Sequence, residues 1–272
     1  MLLAAPVLAG FAGQNRSLAD SGVLPAEGDS RRVVNAVKNQ WVEGGLMNRH
    51  AESARPYKGL GMEGRVARWY TRTRRNDIED FRSAARAVAA QLPVACRVLE
   101  VAPGPGFFAI ELAKLGDFKI TALDISRTLI ALARENAHQA GVRIDFRLGN
   151  ASAMPFASES FDFVYCSAAF KNFSEPVKAL DEMHRVLRLR GRAVIMDLCK
   201  DASGDEIDAY VKRSGRNRFD AWMTKWTLQH VLLKRAYSRD DFIQMSKQSR
   251  FGSCEIKTST IGFEVQFSKA RT

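Results

Sequence analysis

The densest chemistry in the chain lies in Val98-Leu99-Glu100-Val101-Ala102-Pro103-Gly104-Pro105-Gly106, an apolar run that delivers a carboxylate and then a glycine-rich turn. Gly104 and Gly106 let the backbone approach a ligand where a Cβ would collide. A helix following such a turn offers unpaired N–H groups at its start. Asp124 closes the next apolar run, 20 residues beyond Gly104. A carboxylate there can accept both hydroxyl hydrogens of a ribose. Together these features suit a nucleoside-bearing cofactor. Gly104-x-Gly106-x-x-Ala109 formally fits the dinucleotide fingerprint. Two observations argue against a nicotinamide cofactor. Glu100 would repel a pyrophosphate crossing the turn but could reach a cationic α-amino group, and the chain lacks a second mononucleotide-binding half.

The elements around these residues follow from periodicity. Residues 97–102, 118–123, 143–148, 161–167 and 192–198 read as strands. Helical stripes fall at 77–91, 107–115, 126–140 and 175–187, the last stopped near Gly191. Ser126 is placed to cap its helix and Gly141 to end it. A shorter helix covers Val66 to Tyr70. This alternation predicts βαβ units and a parallel sheet covered on both faces. Two runs at 252–257 and 262–268, joined by a short turn, must be antiparallel neighbours. Residues 1–61 read as an N-terminal extension with one helix over 30–42, and residues 62–272 as the α/β domain.

Several motifs in this order resemble the class I S-adenosylmethionine (SAM)-dependent methyltransferases. Glu100 to Gly106 is similar to their motif I, with Ala102 and Pro103 altering its start. Asp124 matches their ribose-binding acid. Gly149-Asn150-Ala151-Ser152-Ala153-Met154-Pro155-Phe156 resembles their segment after strand 3, and Phe161-Asp162-Phe163-Val164 their strand 4. Glu182 to Gly191 resembles their E-x-x-RVLKPGG element. The resemblance covers roughly residues 63–268. It implies a Rossmann-like sheet of seven strands in the order 3-2-1-4-5-7-6, strand 7 antiparallel, with helices on both faces.

Site residues follow from the same resemblance. Glu100, Ala102, Gly104 and Gly106 should face the methionine part of SAM. Asp124 should hold the ribose and Ile125 should lie on the adenine. Asn150, where the family usually has Asp, should meet the adenine edge with Ala151. Ser167 should lie below the transferred methyl, and Tyr70 should close over the cofactor. An insertion at 203–237 should cover the acceptor. Within it His230 is a candidate general base, as is Asp197 at the end of strand 5. Tyr70 and Ser167 are the other candidate catalytic groups. Plainer roles stay open: Gly104 and Gly106 as turn glycines, Asp124 and Ser167 as helix caps, Asn150 as a turn residue, Tyr70 as packing.

Composition bounds the rest. Apolar residues make up 46% and charged residues 26%, an ordinary globular balance. No apolar run reaches the length of a membrane-spanning helix. The four cysteines are far apart and read as reduced core thiols, which places the protein in the cytoplasm. No cluster has metal-ligand spacing. The net charge is +11, and from Lys212 onward 13 Lys/Arg face 5 Asp/Glu. This leaves RNA modification as a rival to a small-molecule acceptor. However, strand 4 runs into Ser167-Ala168-Ala169-Phe170, not the N/D-P-P-Y/F of amino-methylating nucleic-acid enzymes. The chain also resembles bacterial natural-product tailoring enzymes, among them those that C-methylate a prenylated indole in teleocidin-type pathways. Such a role makes the acceptor apolar or aromatic and the methylated atom carbon or oxygen. The apolar residues 1–13 resemble the core of a signal peptide, though no Lys or Arg precedes them; a start at Met47 or Met62, or a helix packing on a partner subunit, are the other readings. Deleting residues 1–46 is expected to lower the particle mass seen by light scattering.

Overall fold

In the computed structural model of the chain, residues 57–58, 61–213 and 218–270 are described. The helix expected over 30–42, and all but residues 57–58 and 61 of the N-terminal extension expected over 1–61, lie outside them. Among the described residues one sheet contains β1 (Arg97–Val101), β2 (Lys119–Asp124), β3 (Asp145–Leu148), β4 (Phe161–Ser167), β5 (Leu187–Leu198), β6 (Glu255–Thr258) and β7 (Gly262–Ser268). Its order is β3-β2-β1-β4-β5-β7-β6. The first five strands pair in parallel, and β7 runs antiparallel to both β5 and β6.

The helices are α1 (Gly64–Arg74), α2 (Ile78–Ala89), α3 (Phe107–Ala113), α4 (Arg127–Gln139), α5 (Pro176–Val186), α6 (Gly204–Arg213), α7 (Arg218–Thr227) and α8 (Arg239–Gln248). In β1, Val98, Leu99 and Val101 are all buried, as expected of a strand covered on both faces. On one face α2, α3, α6 and the turn after α7 bury Phe108, Leu112, Ile207 and Leu228 against Val98, Tyr165 and Met196. On the other, α5 and α8 bury Met183 and Phe242 against Leu99, Val164 and Ile195. α4 forms a smaller cluster with Ala122 of β2 and Phe146 of β3. The ends of α4 match the sequence expectation. The Leu129 N–H donates to Ser126 Oγ at 3.0 Å, and Gly141 takes φ +68° just past the helix.

β5 departs from expectation. It begins at Leu187, directly after α5, and runs through Gly191. The glycine marks an irregularity in the strand, not a stop: the pairing with β4 shifts between Phe161 and Phe163. A Cβ at Gly191 would lie 2.9 Å from the Arg188 carbonyl oxygen and 3.0 Å from that of Asp162, so only glycine fits. β6 starts at Glu255, three residues later than expected, and Gly252, with φ +70°, belongs to the turn before it.

One ion pair fixes the end of β4. Lys171 and Asp197 are 6% and 1% exposed and pair at 2.8 Å. The Lys171 N–H also donates to Asp197 Oδ2, and its ammonium to the Ala168 carbonyl. The loop after β4 is thereby tied to the end of β5. Removing one partner strands the other charge in the core. Lys171→Met should lower the unfolding free energy by about 3–5 kcal/mol. Adding Asp197→Asn should recover part of that loss, read from urea denaturation midpoints.

Candidate active site

The glycine-rich turn and the end of β2 are held together by a buried carboxylate. Asp124 is 6% exposed. Its Oδ2 accepts the Gly104 N–H at 3.1 Å and its Oδ1 the Ser126 N–H at 2.9 Å. Burial raises its pKa to about 6, against the pull of those N–H groups. Each carboxylate oxygen keeps acceptor capacity for a further partner. The turn is also braced from α4, where Asn136 donates to the Pro105 carbonyl at 2.9 Å. In the turn itself Ala102, Gly104 and Gly106 take φ of +57°, +56° and +78°.

The two glycines serve different needs. A Cβ at Gly104 would find only Tyr70 Cε1 within 4 Å, at 3.5 Å. Packing therefore leaves that side of the turn open, and the Tyr70 ring stands over it. A Cβ at Gly106 would press at 3.1 Å on Ala133 and on the Phe146 ring. Gly106 thus lets α3 and α4 approach β3 closely.

Glu100 precedes the turn on the same sheet face as Val98, 4% exposed, with Oε2 buried and without a hydrogen-bond partner. Burial lifts its pKa to about 8, opposed by the Ala109 N–H and reinforced by Asp124. A buried carboxylate with one oxygen free in this way suits a cationic or donor group.

Tyr70 is positioned by a clasp between the start of α1 and the start of α4. Glu63 accepts the N–H groups of Arg127 and Thr128 at 2.9 and 3.0 Å. The Gly64 N–H donates to Thr128 Oγ1, and Ser126 Oγ to the Met62 carbonyl. Ile125, between Asp124 and this clasp, leaves 39% of its surface exposed. The Gly149 N–H donates to the Asp124 carbonyl at 2.9 Å, which brings the next loop alongside. There Asn150 uses its Oδ1 on the Ser152 N–H at 3.0 Å, so its carbonyl shapes the loop. Ala151 is buried against the face that holds Leu99 and Leu123.

Ser167 closes β4 with its Oγ buried beside the Tyr165 hydroxyl. His230 is not brought to this cradle by any observed contact. It is exposed, stacks on Trp226 with centroids 5.3 Å apart, and places Nδ1 3.0 Å from the Trp226 carbonyl oxygen. Asp197 is committed to Lys171.

Two contributors were not visible in the sequence. Asn136 spends its amide on the turn. Tyr57 is held by a bridge to Phe173 and by the Lys58 N–H donating to the Asn172 carbonyl at 2.8 Å. Its phenol is pushed up to about 12, first by burial, then by the charges of Tyr70, Asp124 and Asp197. Tyr57 therefore lies in the field of both the cradle and the end of β5. No described helix is long and apolar enough to cross a membrane.

With this geometry in place, comparison with known proteins is informative. Residues 99–195 match the family described as "Methyltransferase domain". The matched stretch runs from β1 into β5. A demethylmenaquinone methyltransferase of Deinococcus radiodurans is 39% identical over 124 residues, 45% of this chain and 51% of the relative. A ubiquinone/menaquinone biosynthesis C-methyltransferase of Geotalea uraniireducens is 35% identical over 105 residues, 37% of this chain and 45% of the relative. The chain thus spans about half the length of the curated relatives it matches. A structure from Methanococcus maripaludis, described as an S-adenosyl-L-methionine-dependent methyltransferase, superposes with a TM-score of 0.63. It is 20% identical and aligns over 79% of this chain and 96% of that one, which shows the class I methyltransferase fold.

SAM is the cofactor of methyltransferases of this fold, and the residues of this cradle fit it. Glu100 has a free oxygen for the α-amino group, Gly104 has an open side, and Asp124 has spare acceptor capacity for ribose hydroxyls. A consequence is a pH-linked affinity. The unliganded fold favours protonated Glu100, so that contribution to stability is complete below pH 4.5 and lost as pH rises through about 8. A cationic ligand favours the ionised form, so binding releases a proton. SAM affinity should rise between about pH 6 and pH 8, with proton release seen by calorimetry in buffers of different ionisation enthalpy. Glu100→Gln should flatten that dependence.

Proposed function

We propose that this protein is a SAM-dependent methyltransferase acting at carbon or oxygen of a small, apolar, aromatic acceptor. The observation that carries this reading is the cradle itself: a buried Glu100 with one unpartnered oxygen, an open Gly104 and a pinned Asp124, all at the ends of β1 and β2. When bound, SAM supplies a methyl group already activated by its sulfonium. The protein's task is then to align acceptor and methyl and to keep water out. Glu100 and Asp124 orient the two ends of the cofactor, and Tyr70 covers the turn. No general base is assigned, since Asp197 is paired with Lys171 and His230 is exposed. That arrangement suits a nucleophile that is already electron-rich, such as the ring carbon of a phenol, hydroquinone or indole. The names of the relatives, which include C-methyltransferases of quinone biosynthesis, favour carbon. The lid segment, with Tyr210 and Leu228 buried against the sheet, favours an apolar acceptor over RNA.

The test uses methyl-labelled SAM with a short-chain demethylmenaquinol, a prenylated indole and transfer RNA. Label should enter an organic-phase product from one of the small aromatics and leave the RNA unlabelled. Label in RNA alone would overturn the proposal. Asp124→Ala should weaken S-adenosylhomocysteine binding by about 1.5–3 kcal/mol in calorimetry, the cost of losing hydrogen bonds to a charged group.

A further inference from the structure

Among the described residues seven large apolar side chains are exposed, and only two of them share a helix: Trp222 at 60% and Trp226 at 46%, both on α7. Each ring offers roughly 150–250 Å² for burial, so an exposed pair marks a surface that something covers. The inward side of α7 is already used. Ala221 and Leu228 pack on the core that contains Tyr165 and Met196, and Thr224 and Thr227 are buried. Trp222 and Trp226, four residues apart, stand together on another face. The stripe continues at His230, which is exposed and stacks on the Trp226 ring with centroids 5.3 Å apart and planes 15° off parallel. A helix with apolar groups on two sides calls for cover on both.

The charge around the stripe says what covers it. Residues 221–239 carry Lys225, Lys234, Arg235 and Arg239 and no Asp or Glu. Lys234 and Arg235 are exposed beyond the π-helical turn Leu228–Leu232 that follows α7. Lys225 pairs with Asp208 of α6, which ties the two helices together, and Lys212, one turn beyond Asp208, is exposed. Tryptophan rings beside lysines and arginines on the outside of a helix suit the headgroup layer of an anionic membrane. The rings enter the boundary with the acyl chains, and the cations meet lipid phosphates. Single-stranded nucleic acid is also met by rings and cations, through base stacking. Here one face of Trp226 is already taken by His230, which spoils a stacking platform and leaves burial in lipid unaffected. The core beneath the helix, with Phe108, Ile207 and Leu228, is apolar as well.

We propose that the outer face of α7, with Trp222, Trp226 and the cations Lys212, Lys234 and Arg235, docks the protein on an anionic membrane surface. No described helix is long and apolar enough to cross a bilayer, so this contact lies on the membrane and is reversible. It sets the lid segment against the bilayer, where an apolar aromatic acceptor dissolves. That use of the surface rests on the methyl-transfer reading above; the docking itself does not.

The test floats the full chain with vesicles of phosphatidylcholine, alone or mixed with phosphatidylglycerol, and follows tryptophan emission. Binding should be about ten-fold tighter to the anionic vesicles, weaken in high salt, and move the emission to shorter wavelength. Trp222→Ser with Trp226→Ser should weaken vesicle binding by about ten-fold and abolish the emission shift. Lys212→Glu with Lys234→Glu should remove the preference for anionic lipid. Both double variants should keep the wild-type S-adenosylhomocysteine affinity, which reports a folded domain. A wild type that ignores anionic vesicles, or a tryptophan variant that binds them as well as the wild type, overturns the proposal. So does tryptophan-dependent capture of polyuridine in place of vesicles, which makes the face a nucleic-acid contact. A tryptophan variant of lower particle mass that has lost no vesicle binding makes it a subunit contact and overturns the proposal too. A wild type that docks on vesicles but binds no S-adenosylhomocysteine overturns the methyl-transfer reading and leaves the docking surface standing.

Discussion

The site depends on one interaction, the hydrogen bonds between the Asp124 carboxylate and the backbone N–H groups of Gly104 and Ser126. Burying a carboxylate is costly, and the raised pKa of Asp124 is the sign of that cost. The two N–H groups offset part of it and thereby fix three things at once. They set the position of the turn after β1, the direction of the chain leaving β2, and the approach of the loop from β3 through the Gly149 N–H on the Asp124 carbonyl. The turn would not hold this shape unaided. Ala102 has a left-handed backbone, a conformation that costs a residue with a Cβ roughly 1–2 kcal/mol. Such strain persists where its surroundings over-determine it. Here the determinants are the Ala102 N–H on the Leu123 carbonyl at 2.8 Å, the Gly104 N–H on Asp124, and Asn136 on the Pro105 carbonyl.

A second layer of constraint comes from outside the sheet. Glu63 satisfies the orphan N–H groups at the start of α4 while belonging to the residue just before α1. One carboxylate therefore caps one helix and aims another. The aim matters because α1 carries Tyr70 over Gly104. On the opposite side the Lys171–Asp197 pair anchors the loop leaving β4, whose last residue is Ser167. The loop after β4, the turn after β1 and the start of α1 are thus each pinned by a carboxylate with at least one partner far away in sequence.

That distribution explains how much was legible beforehand. The strand at 161–167 is read to the residue, because an apolar alternation bounded by turn signals leaves little choice. The sheet order and the antiparallel β7 also agree with the resemblance. Gly104, Glu100 and Asp124 were visible because their types are unusual at the ends of buried strands. β5 was misread because a glycine looks the same in sequence whether it ends a helix or admits a neighbouring carbonyl, as Gly191 does. Gly106 was grouped with Gly104, although its lack of a Cβ is required by Ala133 and Phe146, residues identifiable only after folding. The roles of Asn136, Tyr57 and Lys171 were invisible for the same reason. Each is set by a partner on a distant element.

The polar inventory also bears on the chemistry. His230 drew attention by residue type alone, and the fold leaves it stacked on its own helix in contact with solvent. Asp197 sits at a strand end where bases are often found, yet its oxygens are taken by the Lys171 ammonium and by the Lys171 and Leu198 N–H groups. Among the described residues Glu100 keeps one buried oxygen without a partner, which suits a cation. A site with orienting groups and no committed base can act only on a nucleophile whose own electrons are ready. Electron-rich aromatic carbon meets that condition at the transfer step and sheds its ring proton afterwards, whereas an ordinary alcohol, a poor nucleophile until deprotonated, does not.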